Sequence, residues 1–177
     1  MSEKKSLFPG VKPGETFMIG DMGFIRFEDT SAGTPVVLKD IAFRSRFGDD
    51  NDFRSSDVLE KLQKDILPKI IEAVGEENVC EFETDLTTLD GLKPYGTMKS
   101  RISLPTLDFY RANADIFGLY KHDRYWWLET ADSAKPNDDP FWVLCVSPSG
   151  IIISDSCGGG NNGVRPFCIL KSSIFGS

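Results

Sequence analysis

From Tyr125 to Leu170 the chain carries four β-prone runs, residues 125–128, 141–147, 151–154 and 164–170, separated only by loops. Helical periodicity is confined to the middle of the sequence, and further β-prone runs precede it. A chain with strands at both ends and helices between them builds an α+β domain, because alternating βαβ units would interleave the two patterns. Ser147-Pro148-Ser149-Gly150 places Pro and Gly where a type I turn with a following bulge requires them, so runs 141–147 and 151–154 are predicted to form a hairpin.

The earlier chain supplies the other parts. Pro9, Gly10, Pro13 and Gly14 punctuate an extended lead-in over 1–14, leaving 15–177 as a single domain. Thr16-Phe17-Met18-Ile19 and Phe24-Ile25-Arg26-Phe27 flank a Gly-bearing turn and read as a hairpin, and Pro35-Val36-Val37-Leu38-Lys39 offers a third strand. Across 56–74, Val58, Leu59, Leu62, Ile66, Ile70, Ile71 and Val74 recur at three- and four-residue steps, which builds one apolar helical stripe. Ser55, Ser56 or Asp57 can cap its start, Gly75 can take a left-handed position at its end, and Pro68 predicts a kink or break. A β-prone run covers 79–84. A second helix is predicted from Thr106, its N-cap, to about Phe117, closed by Gly118.

Bulk properties narrow the class of partner. The 177 residues suffice for one core, burying roughly 70% of the unfolded chain's surface. Lys+Arg 20 against Asp+Glu 27 gives a net charge of −7, and no basic stripe offsets it, so nucleic acid is not an expected partner. No run approaches the roughly 18 apolar residues of a membrane span. Met1-Ser2-Glu3-Lys4-Lys5 leads into Leu7-Phe8-Pro9-Gly10 and not into an apolar core, so no signal peptide is expected. Cys80, Cys145, Cys157 and Cys168 form no CxxC pair and read as reduced thiols. Together these predict a soluble protein, cytoplasmic or virion-associated.

Trp126-Trp127-Leu128-Glu129-Thr130, a loop, a hairpin about Gly150, then Gly163-Val164-Arg165-Pro166-Phe167 resembles a bacterial and phage domain of unknown function. That domain usually shows WWLRS, two strands about a glycine turn, and GVRP. Its members are assigned to the C-type-lectin-like fold, with formylglycine-generating-type domains and the variable tip proteins of phage retroelements. Lys39-Asp40-Ile41, the segment 51–59 and Leu104-Pro105-Thr106-Leu107 extend the likeness across most of the chain, with Glu129-Thr130 standing where the family carries Arg-Ser. The resemblance implies two helices packed on small antiparallel sheets, with N- and C-terminal strands adjacent and Trp126 or Trp127 packed beneath them. It also implies that the double-tryptophan strand and the closing Val164-Arg165-Pro166 segment share one sheet. Adjacent strand residues face opposite sides, so one tryptophan is expected to be buried and its neighbour partly exposed. Arg165 is expected to bury its stem and hold backbone carbonyls or a carboxylate, a structural role.

Candidates for chemistry are few. His122 lies among Lys121, Asp123 and Arg124 and reads as a solvated loop residue, without a nucleophile motif to serve. One histidine and no CxxC leave zinc almost without ligands. The formylglycine-generating relatives use a copper-handling cysteine pair; here Cys157 and Cys168 are the nearest pair, with Cys168 read as a buried small hydrophobe. The Gly158–Gly163 run lacks the Lys-Ser/Thr of a phosphate loop and precedes a strand, so it reads as a flexible connection. Asp49-Asp50-Asn51-Asp52 and Asp132, Asp138, Asp139 lack EF-hand spacing and read as solvated acidic loops.

These readings predict no enzyme, cofactor or metal, and a module that binds a protein or glycan through loops 131–140 and 155–163. The contact residues would be Asp132, Asp138, Asp139, Asp155, Ser156, Asn161 and Asn162. Alternatives are a phage-encoded inhibitor of a host defence protein acting through an acidic surface, and a virion structural component.

Overall fold

Thr16–Ile19 (β1) and Met22–Arg26 (β2) pair antiparallel with Ile19 opposite Met22. The two-residue turn between them has Gly20 at φ +60°, the conformation a glycine supplies at the first position of a tight hairpin. These coordinates are a computed structural model describing residues 6–176, so the Met1-to-Lys5 segment lies outside the described residues. Thr34–Leu38 (β3) continues the sheet antiparallel to β2, and Phe167–Leu170 (β11) pairs antiparallel with β3, giving the order β1-β2-β3-β11. The terminal strands share a sheet but are not adjacent as expected: β11 pairs with β3, and β2 and β3 stand between it and β1.

A five-stranded sheet stands beside it. Its members are Phe43–Ser45 (β4), Trp126–Ala131 (β7), Trp142–Val146 (β8), Ile152–Ser156 (β9) and Asn162–Val164 (β10), in the order β4-β10-β7-β8-β9. All pairings are antiparallel except the short β10–β7 contact, where Gly163 meets Trp126. The expected 147–150 turn joins β8 to β9, with Gly150 at φ +90°. Phe82–Asp85 (β5) and Thr97–Ser100 (β6) form a separate two-stranded arm.

The segment read as one closing strand, 164–170, is divided between the sheets. Val164 belongs to β10, while Phe167–Leu170 belongs to β11; Arg165 and Pro166 carry the chain across. So Gly163 and Val164 share a sheet with the tryptophans, and the expectation of one sheet fails for the rest. Pro166 has no N–H to donate to a ladder, which favours the crossing at this point.

The apolar stripe over 56–74 folds as a continuous helical run. It comprises Asp57–Lys61 (α1), a π-helical turn at 62–66, and Leu67–Val74 (α2). Ser56 is the cap, accepting from the Leu59 N–H at 3.0 Å. Of the kink or break expected at Pro68, no break occurs; the irregularity is a π turn just before it. The wider π turn, in which the Leu67 N–H reaches the Leu62 carbonyl, precedes the proline, which then lies in the first turn of α2, where its lost donor is tolerated. Gly75 closes the run at φ +91°, ψ +139°, a positive φ but not the left-handed helical geometry expected of it.

The second helix starts as expected, with Thr106 accepting from the Phe109 N–H at 3.1 Å. It then divides into Leu107–Ala112 (α3) and Ala114–Gly118 (α4) at Asn113, whose side-chain amide donates to the Phe109 carbonyl at 2.9 Å. Such a bond offers the backbone an alternative to continued helix.

Residues of both larger sheets enter two cores. One core joins the 57–74 stripe to Ile19, Phe24, Val36, Phe47, Trp127, Val143 and Cys145. The other joins Leu107, Tyr110 and Phe117 to Ile25, Val37, Trp126, Leu128 and Leu144. Successive residues Val36 and Val37 thus enter different cores, as do Trp126 and Trp127. The described residues form an α+β fold of few, mostly short helices and several small, mainly antiparallel sheets.

Candidate functional site

Strand registers bring the two predicted loops to the same end of the five-stranded sheet. Ala131 pairs with Val143 and Trp142 with Ser156, so loops 132–141 and 157–161 leave side by side. Two further segments, 46–52 and 88–96, join them through a buried polar residue, Asn51. Its side-chain amide donates to the carbonyls of Ser133 at 2.8 Å and Trp142 at 3.1 Å, and its carboxamide oxygen accepts from the Tyr95 hydroxyl at 2.5 Å. Its own N–H donates to the Pro140 carbonyl at 3.0 Å. Burial pushes the Tyr95 hydroxyl up to about 12, so it stays a donor.

Asp90 is the second tie. It accepts from the hydroxyls of Thr88 at 2.5 Å and Ser133 at 2.6 Å and from the Asn137 amide at 3.0 Å. These donors hold its carboxyl down to about 2. The rim is therefore braced, and what it presents is specific. Asp138 and Asp139 are exposed, and beside them stand Phe141, 52% exposed, and Trp142, 41% exposed.

The remaining predicted contact residues are placed less freely. Asp132 is half-buried, one carboxylate oxygen is without a partner, and burial raises its pKa. Asp155 accepts from the Asn162 amide at 3.1 Å, and Asn162 is buried within β10. Ser156 accepts from the Gly159 N–H at 2.9 Å, shaping the glycine turn, while Asn161 is exposed. The structure thus brings all seven to one end of the sheet but leaves chiefly Asp138, Asp139 and Asn161 facing outward. Asn51, Asp90, Phe141 and Trp142 were not singled out from sequence as contact or bracing residues. The exposed aromatics follow from a signal the sequence did hold, Phe141-Trp142 directly after an acidic proline loop.

The expectation of one buried and one partly exposed tryptophan is corrected: Trp126 is 3% exposed and Trp127 fully buried. Both faces of β7 are covered, the Trp126 face by Tyr110 of α3 and Phe117 of α4 and the Trp127 face by the 45–47 segment, so neither meets water. Trp127 donates its indole N–H to the Ser45 carbonyl at 2.8 Å and packs edge-on to Phe47. Arg165 is buried whole. It donates to the carbonyls of Leu38 and Lys39, both at 3.1 Å, and its guanidinium lies 4.6 Å from the Trp126 ring centroid. Burial lowers its pKa to about 10, so it remains a cation and ties the end of β3 to β7.

A cleft of about 470 Å³ lies elsewhere, between β5, α3 and the loop over 87–91. Thr84, Thr88, Ser103, Thr106 and Thr130 give it hydroxyls; Phe82, Leu104, Phe109 and Phe167 give it an apolar floor. Behind Thr84 and Ser103 sits Glu129, 2% exposed. One carboxyl oxygen, Oε1, accepts from the Thr84 hydroxyl at 2.5 Å, while Oε2 has no partner. Burial raises the Glu129 pKa to about 8, and the hydrogen bond from Thr84, with help from the Ser103 hydroxyl and the Leu104 N–H, only partly opposes it.

His122 is not the freely solvated residue expected. Its Nε2 lies 2.7 Å from the Lys39 carbonyl, to which it donates, and the ring is largely shielded. The acidic run at 49–52 is partly neutralised by arginine: Asp49 pairs with Arg46 at 2.9 Å and Asp52 with Arg54 at 2.8 Å. The thiols are unpaired, and burial raises all of them. Among the described residues no group of His, Cys, Asp or Glu is arranged to hold a metal ion, and no helix is long and apolar enough to cross a membrane. Comparison of the chain with models of protein families, with curated proteins and with solved structures returns no match.

Proposed function

We propose that this chain is a non-enzymatic binding module of the C-type-lectin-like kind, of phage, prophage or bacterial origin, which contacts a protein partner through the rim of its five-stranded sheet. The observation that carries this reading is the pairing of half-exposed Phe141 and Trp142 with Asp138 and Asp139 on loops braced by Asn51. Aromatic side chains are the usual anchors of protein interfaces, and charged residues around them set orientation and association rate. Loops held by buried hydrogen bonds lose little freedom on binding, which favours affinity. The complementary partner would offer an apolar recess edged by basic groups.

A second reading, an inhibitor acting through acidic charge, draws on the same Asp138 and Asp139. One experiment separates the two. Immobilised chain would be challenged with bacterial lysate, and the retained protein identified and titrated against Phe141→Ser/Trp142→Ser and Asp138→Ala/Asp139→Ala variants at low and high salt. The aromatic pair is expected to abolish retention, and the aspartate pair to reduce mainly its salt sensitivity. The reverse pattern establishes the electrostatic inhibitor. Retention indifferent to both pairs overturns the rim as the contact surface.

A further inference from the structure

Glu129 presents an unresolved balance. Its Oε2 is buried and has no hydrogen-bond partner, although Thr84 satisfies Oε1. An unmet buried carboxyl oxygen is costly whichever state the acid adopts: protonated, it lacks an acceptor for its hydrogen; ionised, it lacks a counter-charge. Thr84 and Ser103, which hydrogen-bond it, are also wall residues of the 470 Å³ cleft; Glu129 itself lies behind that wall, so a group that parted the two hydroxyl residues would meet the carboxyl. The charges around the cleft have one predominant sign. Glu83 and Asp85 on β5 and Asp108 on α3 stand against a single cation, Arg111. The floor is aromatic, with Phe167 edge-on to Phe82 at 5.4 Å and to Phe109 at 5.0 Å.

We propose that this cleft binds a small organic cation, with its ammonium or amidinium group at Glu129 Oε2 and its apolar body over Phe82 and Phe167. An ammonium has three donors. Oε2 would take one and the hydroxyl oxygens of Thr84 and Ser103 the others, once the Thr84 hydroxyl turns from Oε1. Anions are disfavoured by Glu83, Asp85 and Asp108, and a neutral alcohol leaves those carboxylates without a countercharge. The aromatic edges and faces accept the hydrocarbon part and favour a cation near them. This site is separate from the rim and does not depend on the partner proposed there.

The test uses the full chain and four probes: 2-phenylethylamine, benzamidine, the neutral 2-phenylethanol and the anionic phenylacetate. Binding is followed by calorimetry and by amide chemical shifts. Both cations are expected to bind about tenfold or more tighter than the alcohol, the range of a charged hydrogen bond, and to shift Thr84, Ser103 and Phe167. At pH 7 the carboxyl is largely protonated, so a bound cation expels about one proton, seen as a buffer-dependent heat; affinity for the cation rises as pH approaches 8 and then levels. Glu129→Gln is expected to lose about tenfold and the proton release; Thr84→Val, which keeps the carboxyl, is expected to lose affinity but retain the release. Equal binding of amine and alcohol, binding without proton release, or no shifts at the cleft with any probe overturns the proposal and leaves Oε2 to an ordered water.

Discussion

A neutral replacement of Glu129 should change how stability depends on pH, and by an amount the structure sets. The carboxyl has a pKa of about 8 in the folded chain against 4.5 when free. Between those values the folded state holds a proton that the unfolded state releases, so stability is greatest below pH 4.5 and falls as pH rises through 8. At about 1.4 kcal/mol per pH unit, the whole fall amounts to about 5 kcal/mol, and about 3 kcal/mol of it is already lost at pH 7. Glu129→Gln removes the titration while keeping an oxygen to accept from Thr84. Urea unfolding followed by tryptophan fluorescence, at intervals from pH 5 to 8, gives the free-energy difference between variant and parent. That difference should rise in favour of the variant by about 4 kcal/mol across the window. Asp90, held near 2, titrates below this window, and the raised thiols titrate above it. A difference constant to within about 1 kcal/mol would mean that water reaches Oε2 and that burial does not govern this carboxyl.

Two further perturbations probe the scaffold. Asn51→Ala should cost about 3 kcal/mol or more in urea unfolding, because the Ser133 and Trp142 carbonyls and the Tyr95 hydroxyl lose their partner; amide exchange in 132–141 should quicken with it. Gly33→Ala should lower the melting temperature by about 5 °C or more. Gly33 sits at φ +132°, and an added Cβ would lie 2.6 Å from the Leu170 carbonyl oxygen, backbone that cannot swing aside as a flexible side chain could.

Local chemistry made part of this fold readable. The β1–β2 hairpin, the β8–β9 turn and the Ser56 and Thr106 caps each depend on residues within a few positions of one another, and each forms in the expected place. Features set by distant partners were not readable. Phe43-Arg44-Ser45 and Thr97-Met98-Lys99-Ser100 have weak strand character and are extended because β10 and β5 supply their hydrogen bonds. The double burial of Trp126 and Trp127 required knowing that α3 and α4 cover one face and the distant 45–47 segment the other, which alternation along one strand cannot report. The acidic tip of the rim was legible as composition, but its brace was not, since Asn51 meets Ser133 and Trp142 from 82 and 91 residues away. The burial of Glu129 was not readable for a related reason. A charged residue between Leu128 and Thr130 reads as the solvent side of a half-exposed strand, and only the packing of β5 and 103–105 against β7 encloses it.

The two candidate surfaces meet at one short segment. Thr88, Leu89 and Gly91 line the cleft, while Asp90 between them is tied to Ser133 and Asn137 of the rim loop. The backbone repeats the connection, since the Leu89 N–H donates to the Ala131 carbonyl at 2.9 Å, one residue past Thr130 in the cleft wall. A rim braced in this way cannot rearrange its 132–138 stretch without disturbing hydrogen bonds whose other ends flank the cleft. Conversely, an occupant that spread β5 from α3 would press first on 87–91. Because the segment is short and its bonds are shared, its stiffness is common to both surfaces, and substitutions at Thr88 or Asp90 belong to neither alone.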